Sequence, residues 1–245
     1  IIIGSGFGGS VSALRLSQKG YKVLVIEKGP WWKSKDFPKT NWNLKKWLWL
    51  PSLRFFGFFK ITFLRHVGIL SGVGVGGGSL VYANTLPRPR TAFFKSGSWS
   101  GIMDWQANVE PHYITAEKML GATPNPKLFD ADLALQELAK QTNCDLGFEP
   151  TNVGVFFGEP EETVFDPYFE GKGPDREGCR HCGACMTGCP HNAKNSLDKN
   201  YLFLAIDQGA EILAKHKVTQ VVPIGEKDGT DGYAITYEDS FGLFS

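Results

Sequence analysis

The sequence predicts an α/β fold built on a parallel sheet. Residues 1–3 and 23–26 are continuously apolar, as in parallel strands that are buried on both faces. Between them, residues 10–19 have the small and apolar spacing of a short helix that packs on a sheet, and Gly20 is placed to end it. A strand, a helix and a second strand in this order form the βαβ unit of an open parallel sheet.

Three glycines lie between the first strand and this helix. Gly4, Gly6 and Gly9 follow the pattern G-x-G-x-x-G. In this pattern the first glycine allows a sharp bend, the second lets the backbone approach a pyrophosphate, and the third lets helix and strand pack closely. Glu27 ends the second strand, where a carboxylate accepts hydrogen bonds from a ribose diol. The segment therefore predicts adenine-dinucleotide binding, and the alternative is a chance glycine-rich turn.

Composition and charge limit the class of protein. The chain has 245 residues, of which 42% are hydrophobic and 21% charged, with a formal net charge of +1. These values are typical of a globular protein and do not indicate a nucleic-acid partner. No apolar stretch of the sequence is long enough to span a membrane. Residue 1 is not Met and already lies in a predicted strand, so we expect a piece of a longer protein.

A second glycine-rich loop lies at residues 72–84. Its backbone N–H groups can reach a phosphate or a flat ring with no Cβ in the way, and we expect this of Gly76, Gly77 and Gly78. Ser79 could donate to a phosphate, and Asn84 could bind the edge of a ring. The alternative is a flexible linker. It is disfavoured because residues 80–82 are apolar and resemble a strand.

Aromatic and basic residues are concentrated in residues 31–70, an excursion between the two nucleotide-binding segments. It contains five of the seven tryptophans together with many lysines and arginines. This mixture suits a peripheral membrane contact, where rings lie at headgroup depth and cations meet anionic lipid. The alternative is that the aromatic residues pack against the body of the protein. We favour packing, because Pro51 and Gly57 interrupt any single amphipathic face.

A cysteine run follows at residues 179–190, with the spacing C-x2-C-x2-C-x3-C-P. Its members are Cys179, Cys182, Cys185 and Cys189. This is the spacing of bacterial ferredoxins, so we interpret the run as a candidate [4Fe-4S] site. A loop without metal and a zinc site are the alternatives, although zinc usually takes its ligands from two separated pairs. A thiolate-bound cluster needs a reducing compartment, which would place the protein in the cytoplasm.

The remaining sequence contains further helices and strands. Apolar spacing predicts helices at residues 109–120, 131–141 and 196–208, and short strands at 211–213, 218–224 and 233–237. Prolines punctuate residues 86–175, which suits an inserted region that shapes a substrate pocket.

The two glycine segments together resemble the glucose-methanol-choline (GMC) family of flavin oxidoreductases, in its cholesterol-oxidase-like bacterial branch. Further matches are Trp99, Asp104-Trp105, His112-Tyr113, residues 116–121, residues 173–176 and residues 193–202. The resemblance implies a Rossmann-like FAD-binding domain with an inserted α+β substrate or cap region. It divides the chain into a first part of the FAD-binding domain at 1–85, a cap region at 86–175, and a cysteine-rich loop with the return to the FAD-binding domain at 176–245.

The resemblance also implies roles for the residues of the cofactor site. Gly4, Gly6 and Gly9 would lie at the pyrophosphate of FAD and Glu27 at its adenosine ribose. Gly76, Gly77, Gly78 and Ser79 would lie along the pyrophosphate toward the flavin. Asn84 would lie beside the isoalloxazine, and the backbone of Val218 would meet the adenine.

The family oxidises alcohols by hydride transfer to FAD, with a C-terminal histidine as the base. None of the five histidines of this chain lies in such a segment. We therefore expect residues 1–245 to hold most FAD-binding determinants and neither member of the catalytic acid-base pair, and to be inactive or nearly so alone. The predicted function is the FAD-binding part of an oxidoreductase acting on a small-molecule alcohol, with a sterol-like alcohol as one candidate. The alternative is a flavin and iron-sulfur module that passes electrons to an acceptor protein. A nicotinamide enzyme is disfavoured because the second glycine loop has no role in one.

Overall fold

A computed structural model describes residues 1–38, 40, 42–144 and 147–242. Contacts divide the chain into two compact units. Unit 1 comprises Ile1–Ala83 and Phe156–Ser245, and unit 2 comprises Asn84–Val155. No described helix is both long and apolar enough to cross a membrane.

The strands of the described residues are short. They are β1 (Ile2–Ile3), β2 (Leu24–Glu27), β3 (Trp49–Leu50), β4 (Phe55–Phe56), β5 (Phe59–Phe63), β6 (Gly68–Gly72), β7 (Ala122–Pro124), β8 (Asn152–Gly154), β9 (Thr163–Val164), β10 (Arg176–Glu177), β11 (Glu211–Ala214), β12 (His216–Pro223) and β13 (Tyr233–Asp239). The α-helices are α1 (Phe7–Gln18), α2 (Leu44–Trp47), α3 (Thr91–Phe94), α4 (Trp105–Leu120), α5 (Asp130–Gln141) and α6 (Tyr201–Asp207).

A parallel sheet with the strand order β1-β2-β11 lies at the centre of unit 1. Ile2 pairs with Val25 and Ile212 also pairs with Val25, so β2 is the middle strand. Val25 and Ile26 are buried, as are Ala13 and Leu14 of α1. Helix α1 packs against α6, whose Leu202 and Ala205 are fully buried. The predicted order of strand, helix and strand is therefore confirmed, with β11 as a third parallel strand beside it. Strand β1 is not buried on both faces as we expected, since Ile3 is 54% exposed.

Several aromatic residues of the excursion form a second core in unit 1. Phe58 and Phe59 are buried, and Trp32, Phe37 and Trp47 pack against them. Trp32 stacks on Phe37 with the ring centroids 5.8 Å apart. These residues pack inside the unit, as we favoured from the sequence, whereas Trp42 of the same excursion is 90% exposed. The hairpin of β5 and β6 nevertheless leaves apolar side chains near its turn exposed, Phe63 at 82% and Leu64 at 59%.

Unit 2 contains α3, α4 and α5 with the antiparallel pair of β7 and β8. Arg88 joins the start of this unit to α4, because its guanidinium binds both carboxylate oxygens of Glu117 at 2.6 Å. The predicted helix at 131–141 is present as α5. Its apolar residues Leu133, Leu135 and Leu138 are each about half exposed.

Several predicted boundaries need correction. Helix α4 begins at Trp105 and not at residue 109, because the Asp104 side chain caps it by accepting a hydrogen bond from the Ala107 N–H at 3.0 Å. The helix predicted at 196–208 is a 3₁₀ turn, Leu197–Lys199, followed by α6. The break lies at Asn200, whose φ and ψ of −139° and −96° are not helical.

Residues 80–82 do not form the strand that their apolar character suggested. The segment is the end of a 3₁₀ turn, Gly77–Leu80, and the N–H groups of Val81 and Tyr82 both donate to the Gly78 carbonyl. The carbonyls of Leu80 and Tyr82 accept hydrogen bonds from the buried Lys194 and not from a neighbouring strand.

Residues 156–175, which the sequence assigned to the cap region, belong to unit 1. Strand β9 in this segment pairs with β10. The Phe156 N–H donates to the Ala193 carbonyl at 2.8 Å, and the Cys179 N–H donates to the Phe156 carbonyl at 3.0 Å. These backbone hydrogen bonds tie the segment to the cysteine loop.

Candidate dinucleotide site

The first glycine turn has the geometry that its sequence predicts. Gly4 has a φ of +87°, and its N–H donates to the Ile26 carbonyl of β2 at 2.8 Å. A Cβ on Gly9 would lie 2.0 Å from the Gly4 carbonyl oxygen. Only a glycine therefore fits at position 9, because helix α1 passes directly against the turn.

The N-terminus of α1 is open. Gly6 is the N-cap residue and has no side chain to accept from the first N–H groups of the helix. A Cβ on Gly6 would meet no atom within 4 Å, so the space beside it is open although no left-handed φ requires glycine there. This space and the unpaired N–H groups of a helix end suit an anion such as a pyrophosphate.

Glu27 lies at the end of β2, beside this turn, and is buried to 6% exposure. Its Oε2 accepts from the N–H of Ser5 at 3.0 Å and from the hydroxyl of Ser5 at 2.7 Å. Its Oε1 accepts from the Gly29 N–H at 2.9 Å. A carboxylate has about four lone-pair positions, so one position on Oε1 remains for a ribose hydroxyl.

The second glycine loop runs directly along the first. A Cβ on Gly77 would lie 2.9 Å from the Gly6 Cα, so the two loops meet backbone to backbone. Gly76 and Gly77 have φ angles of +101° and +53°, which favour glycine. Gly78 has open space next to it, since a Cβ there would meet only the Phe7 ring, at 3.9 Å.

Ser79 is fully buried and makes its hydrogen bonds inside the protein. Its hydroxyl donates to the Gly76 carbonyl at 2.7 Å and accepts from the Leu197 N–H at 3.0 Å. The sequence suggested that this hydroxyl donates to a phosphate. Its one hydrogen is instead used within the loop, which makes Ser79 a support of the loop.

The role of Asn84 was predicted from the second glycine loop and by resemblance, and that of Val218 by resemblance alone. Asn84 is buried with a φ of +66°, and its Oδ1 has no hydrogen-bond partner among the described residues. An unpaired buried acceptor of this kind suits a bound polar group. Val218 is half-buried in β12, opposite Tyr237, where the register of the hairpin shifts. The roles of both residues remain predictions.

Comparison with known proteins identifies the family. A family model described as an NAD(P)-binding Rossmann-like domain matches residues 2–39, and one described as GMC oxidoreductase matches residues 172–242. All of the chain aligns with a cholesterol oxidase of Acinetobacter baumannii, at 50% identity over 250 residues. The chain belongs to the GMC oxidoreductase family.

Two further proteins are also similar to this chain. A cholesterol oxidase of Mycobacterium tuberculosis (strain CDC 1551 / Oshkosh) is 52% identical over 87% of this chain and 38% of its own length. A long-chain-alcohol oxidase of Arabidopsis thaliana is 28% identical over 91% of this chain and 26% of its own length. The chain spans 45% of the length of the Acinetobacter relative.

The cysteine run of this GMC chain is the segment in which we predicted a metal site from the sequence. Among residues 1–38, 40, 42–144 and 147–242, no group of three or more His, Cys, Asp or Glu side chains could hold a metal ion. Burial raises the pKa of Cys179, and the N–H of His181 that donates to its sulfur acts in the opposite direction. The iron-sulfur interpretation is therefore unsupported. The loop folds around a 3₁₀ turn, Ala184–Thr187, and its Cys185 carbonyl accepts a hydrogen bond from Lys194.

Sequence reasoning missed the buried Lys194, which is 2% exposed. Its Nζ donates to the carbonyls of Leu80 at 3.0 Å, Tyr82 at 2.8 Å and Cys185 at 2.8 Å, and it lies 4.6 Å from the centre of the Tyr82 ring. Burial lowers its pKa to about 7. This lysine joins the end of the second glycine loop to the cysteine loop. Its only sequence signal was its place in the family-like stretch 193–202.

Proposed function

We propose that the full-length protein is an FAD-dependent oxidoreductase that oxidises an alcohol. The observation that carries the proposal is the paired glycine loops: an open helix N-terminus at Gly6 with a second loop at Gly77 against it. A dinucleotide pyrophosphate requires backbone N–H groups without obstructing Cβ atoms, and both loops offer them. Membership of the GMC family supports FAD over a nicotinamide cofactor.

The residues present fit this cofactor. Gly6 and Gly9 would hold the pyrophosphate at the start of α1, and Glu27 Oε1 would accept from the adenosine ribose. Gly76, Gly77 and Gly78 would line the pyrophosphate from the other side, and Asn84 and Val218 keep the flavin and adenine roles that the resemblance implies. When bound, FAD supplies a hydride acceptor next to the alcohol carbon. We assign no catalytic base within residues 1–245.

The substrate class follows from the relatives. Two similar proteins are named cholesterol oxidases and another a long-chain-alcohol oxidase. We therefore propose a large apolar alcohol, such as a sterol, as substrate, with unit 2 in the role of substrate cap. The electron-transfer module is not favoured, because no observation supports its cluster.

The first test is an anaerobic titration of the purified full-length protein. We expect flavin absorption bands that bleach when cholesterol or a long-chain primary alcohol is added without oxygen. Flavin bands that no alcohol bleaches would contradict alcohol oxidation. Absence of bound flavin, together with failure of added FAD to bind, would contradict the cofactor.

A variant pair tests the binding site itself. Gly6→Val places a side chain in the open space at the helix N-terminus without meeting another protein atom at its Cβ, so we expect a folded protein that no longer retains FAD. Gly8→Ala is the matched control, since its Cβ also meets no atom within 4 Å. Normal FAD content in Gly6→Val would place the pyrophosphate elsewhere.

We also propose that the hairpin of β5 and β6 touches an anionic membrane surface. Phe63, Leu64 and Val67 at its turn are 82%, 59% and 56% exposed. Arg65 lies between them and is exposed as well. Apolar side chains with a neighbouring cation are the pattern of an interfacial contact. The contact would suit a substrate that resides in lipid.

Sedimentation with vesicles of equal parts phosphatidylcholine and phosphatidylserine tests this contact. We expect the double variant Phe63→Ser/Leu64→Ser to bind the vesicles several-fold more weakly than the unchanged protein, since each of the two substitutions removes apolar area from the interface. Leu135→Ser on α5 removes a leucine that is 57% exposed and serves as the control. Equal binding by all three proteins would remove the hairpin from the proposal.

A further inference from the structure

A continuous chain of buried hydrogen bonds joins the two glycine loops. The Ser5 hydroxyl donates to Glu27 Oε2 at 2.7 Å and accepts from the Gly76 N–H at 3.1 Å. Ser5 is fully buried and Glu27 nearly so. The first link ties the first loop to the end of β2, and the second ties it to the second loop.

The chain continues through the same glycine. The Gly76 carbonyl accepts from the Ser79 hydroxyl at 2.7 Å, and that hydroxyl accepts from the Leu197 N–H at 3.0 Å. Both the N–H and the C=O of Gly76 are therefore held by buried serine hydroxyls. Gly76 has a φ of +101°, so these bonds hold a backbone conformation that is open to glycine and costly for other residues.

The Ser5 hydroxyl has a single hydrogen, and this determines which group donates in each of its hydrogen bonds. A carboxylate accepts and does not donate, so the single hydroxyl hydrogen of Ser5 points to Glu27. Its oxygen then presents a lone pair to the Gly76 N–H. An alanine at position 5 would leave a buried N–H without an acceptor, which costs more than the loss of an exposed hydrogen bond.

The hydrogen bonds from Ser5 also determine which oxygen of Glu27 remains available to a ligand. Oε2 already accepts from both the N–H and the hydroxyl of Ser5, whereas Oε1 accepts only from Gly29. The oxygen that faces Ser5 is thus saturated, and the other has one free acceptor position. Glu27 is oriented before any ligand arrives.

We propose that Ser5 is a positioning residue that holds the two glycine loops in register as one cradle and presents Glu27 Oε1 to the ligand. Ser79 extends this support to the 3₁₀ turn at Leu197–Lys199. The link between the loops is a property of the protein alone. The identity of the ligand as FAD rests on the proposed function.

Hydrogen–deuterium exchange of the flavin-free full-length protein tests the link without any cofactor. We expect Ser5→Ala to speed exchange in peptides that contain Gly76 by about tenfold, since the amide loses a buried acceptor. Ser79→Ala should instead affect peptides that contain Leu197. Ser10→Ala is the matched control: Ser10 is equally buried, but its hydroxyl donates only to Phe7 in its own helix, at 3.0 Å.

The affinity of the same apo-proteins for FAD, measured by the quenching of flavin fluorescence, tests whether the link serves ligand binding. We expect Ser5→Ala to weaken FAD binding about tenfold or more, because a hydrogen bond to a carboxylate is lost. Ser5→Thr keeps the hydroxyl and should restore most of the affinity. Ser10→Ala should bind like the unchanged protein.

The outcomes separate the two claims. Unchanged exchange at Gly76 in Ser5→Ala, or an equal change in Ser10→Ala, would overturn the positioning role. The expected exchange pattern in a protein that binds no FAD would keep the link and contradict the proposed cofactor. A Ser5→Ala protein with the expected exchange pattern and normal FAD affinity would show that the link does not serve the ligand.

Discussion

At the scale of single residues, the close approach of α1 to the first turn gives the sharpest prediction. A Cβ at position 9 would lie 2.0 Å from the Gly4 carbonyl oxygen, and the backbone there cannot yield without moving the helix. We expect Gly9→Ala to lower the free energy of unfolding by about 3 kcal/mol, at the upper end for overpacking. Urea unfolding measures this. Gly8→Ala, with open space around its Cβ, should be neutral, and equal stability of the two variants would contradict the geometry.

Through Asp166, the stability of the fold should depend on pH. Burial favours the neutral form, but four backbone N–H groups outweigh it and lower the pKa below its ordinary value of 3.8; they belong to Gly173, Tyr168, Phe169 and Gly171. A carboxyl group with a lowered native pKa stabilises the fold fully above its unfolded pKa, and this contribution is lost as the pH falls through the native pKa.

Asp166→Asn tests this prediction, because an amide has one acceptor oxygen and turns its NH₂ toward N–H groups. We expect a loss of about 2 kcal/mol at pH 7 by urea unfolding. As the pH falls below about 4, the unchanged protein should lose stability more steeply than the variant. Parallel pH profiles for the two proteins would show that Asp166 does not contribute through its charge.

The residue scale also shows where sequence reasoning reaches its limit. Gly4 and Gly9 could be predicted because the absence of a Cβ is a property of the residue itself. Ser5 and Lys194 could not, because their partners lie far along the chain: Gly76 is 71 residues from Ser5, and Leu80 is 114 residues from Lys194. Only the fold brings these groups together, and no spacing in the sequence records them.

At the scale of elements, the cap of α4 is a local device that can be tested alone. Asp104 accepts from the Ala107 N–H at 3.0 Å, one of the first N–H groups that the helix cannot pair itself. We expect Asp104→Ala to lower the free energy of unfolding of the protein by about 1 kcal/mol. Asp104→Asn keeps an acceptor oxygen and should lose much less. If chemical unfolding does not distinguish the two variants, the cap does not stabilise the helix.

Elements with a complete local pattern were found close to their predicted places, as with β11 at 211–214 and β13 at 233–239. Residues 80–82 were mispredicted because apolar character alone does not show whether a strand partner exists. There the carbonyls of Leu80 and Tyr82 bind the Lys194 ammonium group. The start of α4 was predicted too late because a helix begins directly after its cap residue, here Asp104, and not at its first periodic apolar residue.

At the scale of the whole molecule, the pairing of β11 with β2 joins the last part of the chain to the sheet that carries the first glycine turn. Periodicity cannot show which strands pair, so the return of residues 176–245 to the FAD-binding domain was implied only by the family resemblance. In the structure one strand of this segment, β11, lies in the first sheet, where Ile212 pairs with Val25. The same limit explains residues 156–175. Their prolines suited a separate insert, but their backbone hydrogen bonds join them to unit 1.

The last prediction concerns the number of redox centres in the molecule. The cysteine spacing is typical of a ferredoxin, but the described residues bring no three potential ligands together. We expect the anaerobically purified full-length protein to contain flavin with much less than one iron per chain. Cys182→Ser should leave the flavin spectrum and any iron content unchanged. About four irons per chain, lost in Cys182→Ser, would establish a second centre. That result would favour a protein electron acceptor, because electrons could then leave the flavin through the cluster.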